Sequence, residues 1–283
     1  VEQLLAWLAQ AVSLQASDVY LLPQAATYGL FFRLPAGFVH QVAVPPEEAT
    51  RWINYLKYQA GMNVAEHRRV QLGALRLAQL EVALRLSTVA DAQGAETLVA
   101  RLIYGIPELN AVSAKTVQQL ADTLAQPGLL ALSGPTGSGK TTLLYQVAKR
   151  LAPNKMVMTI EDPVEIVHPE FLQLQVNESA QMGYAALLKA ALRHRPDILV
   201  IGEIRDGETA RSACEAAISG HIVLATVHAR SAELVPLRLT ALGAGQALVQ
   251  AALVASAQVR LMLEPQVHAQ VHLIRWQHGE VVS

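Results

Sequence analysis

The sequence predicts an α/β chain in two parts: a small α+β domain over residues 1–107, then residues 108–283 as a mostly parallel sheet with helices on both faces. Three observations carry this. Short alternating apolar segments fill roughly the first hundred residues, about the size of a small domain. After the Gly-, Pro- and Asn-bearing stretch GIPELNAVSAK (105–115), apolar runs and helical spacings alternate regularly. One glycine-rich loop, SGPTGSGKTT (133–142), separates the apolar run 129–132 from a segment with helical spacing. A chain of 283 residues is long enough for two cores.

Leu4, Leu5, Leu8 and Val12 share one face of a helix over 1–13. SDVYLLP, YGLFFRLP and FVHQVAV then read as strands. Pro45-Pro46-Glu47-Glu48 opens a second helix, with Trp52, Tyr55, Leu56 and Gln59 on one side. QLEVALRLSTV (79–89) alternates as a half-buried strand, with Leu80, Val82, Leu84 and Leu86 opposite Glu81, Ala83, Arg85 and Ser87. A turn at 92–94 leads to the strand ETLVARLIY (96–104). In the second part the spacing predicts helices at 116–125, 140–151, 183–193 and 207–219, and strands at 129–133, 155–160, 197–201 and 221–227. Residues 231–262 read as two more helices and VHAQVHLIRW (267–276) as a terminal strand.

Composition narrows the function classes. With 22 basic and 23 acidic residues, no global field draws the chain to nucleic acid or anionic lipid. A single cysteine, Cys214, excludes an intrachain disulfide and a tetracysteine zinc site and suits a reducing cytoplasm. No apolar run approaches the ~18 residues of a membrane span, and Glu2 stands where an export signal would be basic. The expectation is a soluble chain, neither exported nor inserted.

Gly134-Pro135-Thr136-Gly137-Ser138-Gly139-Lys140-Thr141 matches G-x-x-x-x-G-K-[ST], after a strand and opening a helix. Glycines allow backbone N–H groups to close around phosphates, and the helix N-terminus adds partial positive charge. Lys140 would reach the β and γ phosphates of ATP, Thr141 would offer its hydroxyl to Mg²⁺, and Thr142 completes the nucleotide-binding run. The competing reading is a glycine-rich turn without a ligand. In DILVIGEIRD (197–206) a strand ends in Gly202-Glu203, with glycine where many such enzymes carry aspartate. Glu203 is the candidate to activate the attacking water, against a solvated helix-cap role. TIEDPVE (159–165) leaves Glu161 and Asp162 at a strand's carboxyl end, and HIVLATVHA (221–229) is flanked by His221 and His228. Ligands of open α/β sheets collect at those ends.

The ordered set GPTGSGKTT, TIEDPVE, RPDILVIGEIRDGETA and SGHIVLATVHA resembles the ATPases that power type II secretion, type IV pili and DNA-uptake pseudopili, over about residues 10–262. ASDVYLLP, LRLST and VARLI resemble segments of the smaller domain of that family. The resemblance implies a RecA-like P-loop domain behind a PAS-like N-terminal one, with Lys140, Thr141, Glu161, Glu203 and His228 in the catalytic site. It further implies that Arg85 and Arg101 act as arginine fingers on the γ-phosphate, although each also suits a structural salt bridge. Arg205 is expected to pair with acids rather than touch nucleotide. Tyr20 stands where the family usually has histidine, and TVHAR replaces T-L-H-T-N.

The lack of a tetracysteine module resembles the compact competence-pilus ATPases of Gram-positive bacteria, with pilus-retraction ATPases as the runner-up. The implied assembly is a homo-hexamer in the cytoplasm that drives an inner-membrane platform protein, is peripheral to the membrane through that partner, and has no direct nucleic-acid ligand. A nucleic-acid motor and a non-hydrolysing ATP-binding scaffold are the competing classes.

Overall fold

In the computed structural model, residues 1–80, 82–177, 180–262 and 268–282 are described. Glu81 and Val267, which two of the expected strands include, lie outside them. The chain divides into two units, Val1–Gly105 and Ile106–Ser283.

The first unit runs α1 (Glu2–Ser13), β1 (Asp18–Pro23), β2 (Tyr28–Leu34), β3 (Gly37–Val44), α2 (Pro46–Gln59), β4 (Gln71–Leu77), β5 (Val82–Ala90) and β6 (Glu96–Ile103). Its sheet has the order β3-β2-β1-β6-β5-β4, antiparallel throughout. Strand β4 was not expected from the sequence. Successive side chains of a strand point to opposite faces, so β5 buries Val82, Leu84, Leu86 and Thr88 and leaves the residues between them only half-covered. Leu4, Leu8, Trp52, Ile53 and Leu56 from the helices join Leu84, Leu86, Leu98 and Ala100 from the strands in one core. At the edge of that core Lys57, 0% exposed, donates to Glu96 Oε1 at 2.6 Å and to the Glu66 carbonyl at 2.6 Å. His67 Nδ1 meets the other Glu96 oxygen at 2.8 Å.

The second unit holds α3 (Ala111–Asp122), β7 (Gly128–Ser133), α4 (Lys140–Leu151), β8 (Val157–Glu161), β9 (Leu172–Gln175), α5 (Tyr184–Arg193), β10 (Ile198–Ile204), α6 (Gly207–Ile218), β11 (Ile222–Val227), α7 (Val235–Leu242), α8 (Gln246–Ala252), β12 (Leu253–Met262), β13 (His268–Gln277) and β14 (Glu280–Val282). The sheet order is β14-β13-β12-β7-β11-β10-β8-β9; all pairs are parallel except β12–β13 and β13–β14. Strands β7 and β11 are buried at all six positions, as strands covered on both faces must be.

Two expectations are corrected here. The helix expected at 116–125 starts at Ala111, because Asn110 caps it by accepting from the Ser113 N–H at 2.8 Å. Helix does not continue through 231–262: α8 stops at Ala252, and 253–262 is the strand β12, parallel to β7. Its buried Leu253, Ala255, Ala257 and Val259 have strand periodicity, but the small residues among them obscure it after a genuine helix.

Candidate active site

Between β7 and α4 the chain turns through Gly134, Gly137 and Gly139 with φ of 143°, 77° and 86°. Two of these glycines have a specific physical reason. Gly139 caps α4 in a left-handed conformation, which L side chains rarely adopt. A Cβ on Gly134 would lie 2.4 Å from the Val259 carbonyl of β12. Lys140 is folded back onto its own loop, its Nζ donating to the carbonyls of Gly134 (2.9 Å) and Pro135 (2.8 Å). Burial lowers its pKa, opposed by the charges of Glu203 and Glu165. Ser138 is 4% exposed, and its Oγ has no hydrogen-bond partner among the described residues.

Beside this loop is a cleft of about 540 Å³. Thr136, Gly137, Gly139, Lys140, Thr141 and Thr142 line one side; Glu161, Asp162, Glu203 and His228 line the other. Gly134 and Pro135 instead face a smaller neighbouring hollow with His228, Arg230 and Gln258. His221 turns away from the site, its Nδ1 lying 3.0 Å from the Ala216 carbonyl.

The two acids come from neighbouring parallel strands. Ile160 of β8 is in register with Ile201 of β10, so Glu161 and Gly202 are the next residues along. A Cβ on Gly202 would sit 3.3 Å from Glu161 Cγ, the Ile160 carbonyl and Tyr184 Oη. A side chain at 202 would thus be in tight contact with Glu161 and Tyr184, which would have to give by a few tenths of an ångström. Glu161 is 2% exposed. Its Oε1 accepts from Tyr145 Oη and from Thr159 Oγ1 (2.7 Å), whereas its Oε2 has a long 3.4 Å contact from the Glu165 N–H. Burial raises its pKa, and the neutral donors only partly offset this.

Glu203 is reached through an irregularity in the β10–β11 ladder between Ile201 and Ile204, the kind of bulge that re-aims a side chain at a site. Arg205 Nε donates to its Oε2 at 2.5 Å and Nη1 lies 3.6 Å from Asp162, so Arg205 pairs with acids, as expected. His228 Nε2 is 2.6 Å from Glu203 Oε1 but without hydrogen-bond geometry, leaving that buried oxygen without a donor among the described residues. Thr226 Oγ1 donates to the Gly202 carbonyl at 2.5 Å and fixes the bulge.

Arg85 and Arg101 belong to the first unit, where they stand opposite each other on β5 and β6. Arg101 is in turn opposite Asp18, and its Nε donates to Asp18 Oδ1 at 3.0 Å. Tyr145, Thr159, Glu165 and Tyr184 were not singled out from the sequence. Nothing in their local pattern marks them, except that Tyr145 lies one helical turn beyond Thr141 on α4.

The site also suits Mg²⁺ with a nucleotide. Among the described residues no cluster of three or more His, Cys, Asp or Glu groups could hold a metal by itself. Magnesium typically takes one or two protein oxygens together with phosphates and water, and the Thr141 hydroxyl lining this cleft matches that demand.

The family described as "Type II/IV secretion system protein" (T2SSE) matches residues 1–277. The chain is 42% identical over 231 residues to "Competence protein ComGA" of Streptococcus pneumoniae, covering 81% of this chain and 74% of that one. It is 35% identical over 267 residues to "Type IV pilus assembly ATPase PilB" of Thermus thermophilus, covering 91% of this chain and 30% of that one. Among solved structures, the Legionella pneumophila ATPase DotB superposes with a TM-score of 0.76 over 95% of this chain and 79% of that one. At 23% identity it shows a shared fold alone.

Proposed function

We propose that this chain, which belongs to the type II/IV secretion system protein family, is the ATP-hydrolysing motor subunit of a machine that assembles a pseudopilus for DNA uptake. One observation carries the chemistry. Glu203 presents a buried oxygen without a donor beside His228, in the same cleft as Lys140 and Thr141. Such an oxygen is an acceptor for the proton of an attacking water. We read the first unit as PAS-like and the second as RecA-like.

On this reading Lys140 leaves the carbonyls of Gly134 and Pro135 for the β and γ phosphates, while the loop N–H groups and the start of α4 hold the remaining phosphate oxygens. Mg²⁺, held by Thr141 with the phosphates and water, would neutralise phosphate charge. Arg205 fixes one Glu203 oxygen, so the other keeps its aim at the water. Glu161 supplies negative charge at the position left by Gly202. His228 stands ready to contact the γ-phosphate, and Arg85 and Arg101 are read as the arginines that stabilise charge developing there. Loss of that phosphate would remove their shared ligand and shift a conformational equilibrium, which is how hydrolysis becomes work.

No helix among the described residues is long and apolar enough to cross a membrane. The setting proposed from the family resemblance is a homo-hexamer at the cytoplasmic face, working on an inner-membrane platform protein and binding no nucleic acid directly. Assembly rather than retraction is favoured by relatives named for competence and pilus assembly. The test is ATP turnover of wild type and Glu203→Gln, with mass measured on the same samples. Turnover should fall by about 100-fold or more in the variant while ATP still binds. Equal turnover in both would remove Glu203 from the chemistry, and a wild-type hexamer that binds ATP without hydrolysing it would leave a scaffold.

A further inference from the structure

The segment after β11, residues 228–234, is not part of any strand or helix. It is instead fastened to one face of the β12–β13 hairpin by side chains. Gln258 Nε2 donates to the Arg230 carbonyl at 2.6 Å, and two residues earlier on β12 Ser256 Oγ donates to the Ala232 carbonyl at 2.8 Å. Ser256 is 0% exposed and accepts from Trp276 Nε1 of β13 at 2.7 Å. His272, opposite Gln258 on β13, lies 2.9 Å from Glu233 Oε1.

The spacing explains why this works. Residues 256 and 258 project from the same face of β12, and the carbonyls of 230 and 232 repeat at the same two-residue interval. Side-chain donors thus do for this segment what backbone N–H groups would do for a neighbouring strand. Two residues before the first fastened carbonyl is His228, against Glu203. The same strand touches the phosphate loop, because Gly134 packs on the Val259 carbonyl and Ser133 Oγ donates to the Ala257 carbonyl at 3.2 Å. Strand β12 therefore touches both the phosphate loop and the histidine segment.

We propose that Gln258 and Ser256 are positioning residues for His228, and that the β12–β13 hairpin, through Trp276 and His272, moves with that histidine when the γ-phosphate is gained or lost. This rests on the reading of the cleft as an ATP-hydrolysing site. A side chain that acts only through His228 has no effect once His228 is gone, whereas one that merely packs continues to matter.

The experiment is a double-mutant cycle on the full chain, comparing wild type, His228→Ala, Gln258→Leu, Gln258→Glu and the His228→Ala/Gln258→Leu double variant. Both Gln258 substitutions preserve size and remove the donor. Each should lower kcat about tenfold with KM for ATP changed less than about twofold, and the double variant should be no slower than His228→Ala alone. Multiplying losses, a Gln258→Leu variant with wild-type kcat, or a full kcat in His228→Ala would each overturn the proposal. Wild type without turnover would instead count against the ATPase reading itself.

A second readout needs no catalysis. The chain has three tryptophans, so the ¹⁵N indole signal of Trp276 can be assigned by its loss in Trp276→Phe. It should shift between ADP and a non-hydrolysable triphosphate in wild type and stay fixed in His228→Ala. A Trp276 signal indifferent to the third phosphate in wild type would overturn the proposed movement, whatever the kinetics.

Discussion

Glu96 in the first unit and Glu161 in the second are almost equally buried, 7% and 2% exposed, but they are kept in opposite ways. Glu96 has a buried cation, Lys57, on one oxygen and His67 on the other. Glu161 has only neutral donors, Tyr145 and Thr159, and its second oxygen is barely engaged. A buried charge with a cation is a fixed structural element, because removing either partner strands the other. A buried carboxylate without one is destabilised in its charged form and remains available to a cation that arrives with a ligand. The difference separates an acid that holds a domain together from one kept ready for chemistry.

The largest effect on stability should come from Glu96→Ala. It leaves Lys57 uncompensated and should cost about 3–5 kcal/mol. Urea unfolding followed through Trp7 and Trp52, both in the first unit, measures it, and an unchanged midpoint would mean that Lys57 does not depend on Glu96. Glu161→Gln should move the other way. The raised pKa of Glu161 means that, above the ordinary carboxylate value, the folded state holds a proton longer than the unfolded state, so wild type loses stability as pH rises through that window. The variant should therefore melt a few degrees higher than wild type near pH 8, and the gap should close below about pH 4, while turnover is lost. A variant that melts lower at pH 8 would show that the charged form is better solvated than its burial implies.

The smallest stability effect is expected for Arg101→Ala. Its guanidinium is 63% exposed, and Asp18 keeps the Ser17 hydroxyl at 2.8 Å, so the cost should be no more than about 1 kcal/mol. If Arg101 acts on the γ-phosphate, turnover should nevertheless fall about tenfold or more. Unchanged turnover would return Arg101 to a structural role.

Contiguous features were readable from the sequence. The phosphate loop is eight adjacent residues whose glycines have a backbone reason, and fully apolar runs such as 222–225 announce strands covered on both faces. The N-terminal strands were legible for the opposite reason, since one covered face imposes alternation, as in β5. What escaped depends on neighbours that sequence order does not supply. Strand β12 hides behind Ala255, Ser256 and Ala257, small residues that suit helix as well as strand until β7 is beside them. Nothing near Lys57 in the sequence marks its partner, because Glu96 lies 39 positions later. Tyr145 likewise carries no local mark, and only the fold puts its hydroxyl on Glu161.

Gly202 invites an apparent repair. Restoring aspartate there would recreate the acidic pair common to other phosphate-loop enzymes, but its first carbon would meet Glu161, Tyr184 and the Ile160 carbonyl, each at 3.3 Å. The carboxylate from β8 and the bare backbone on β10 thus form a single interlocked choice.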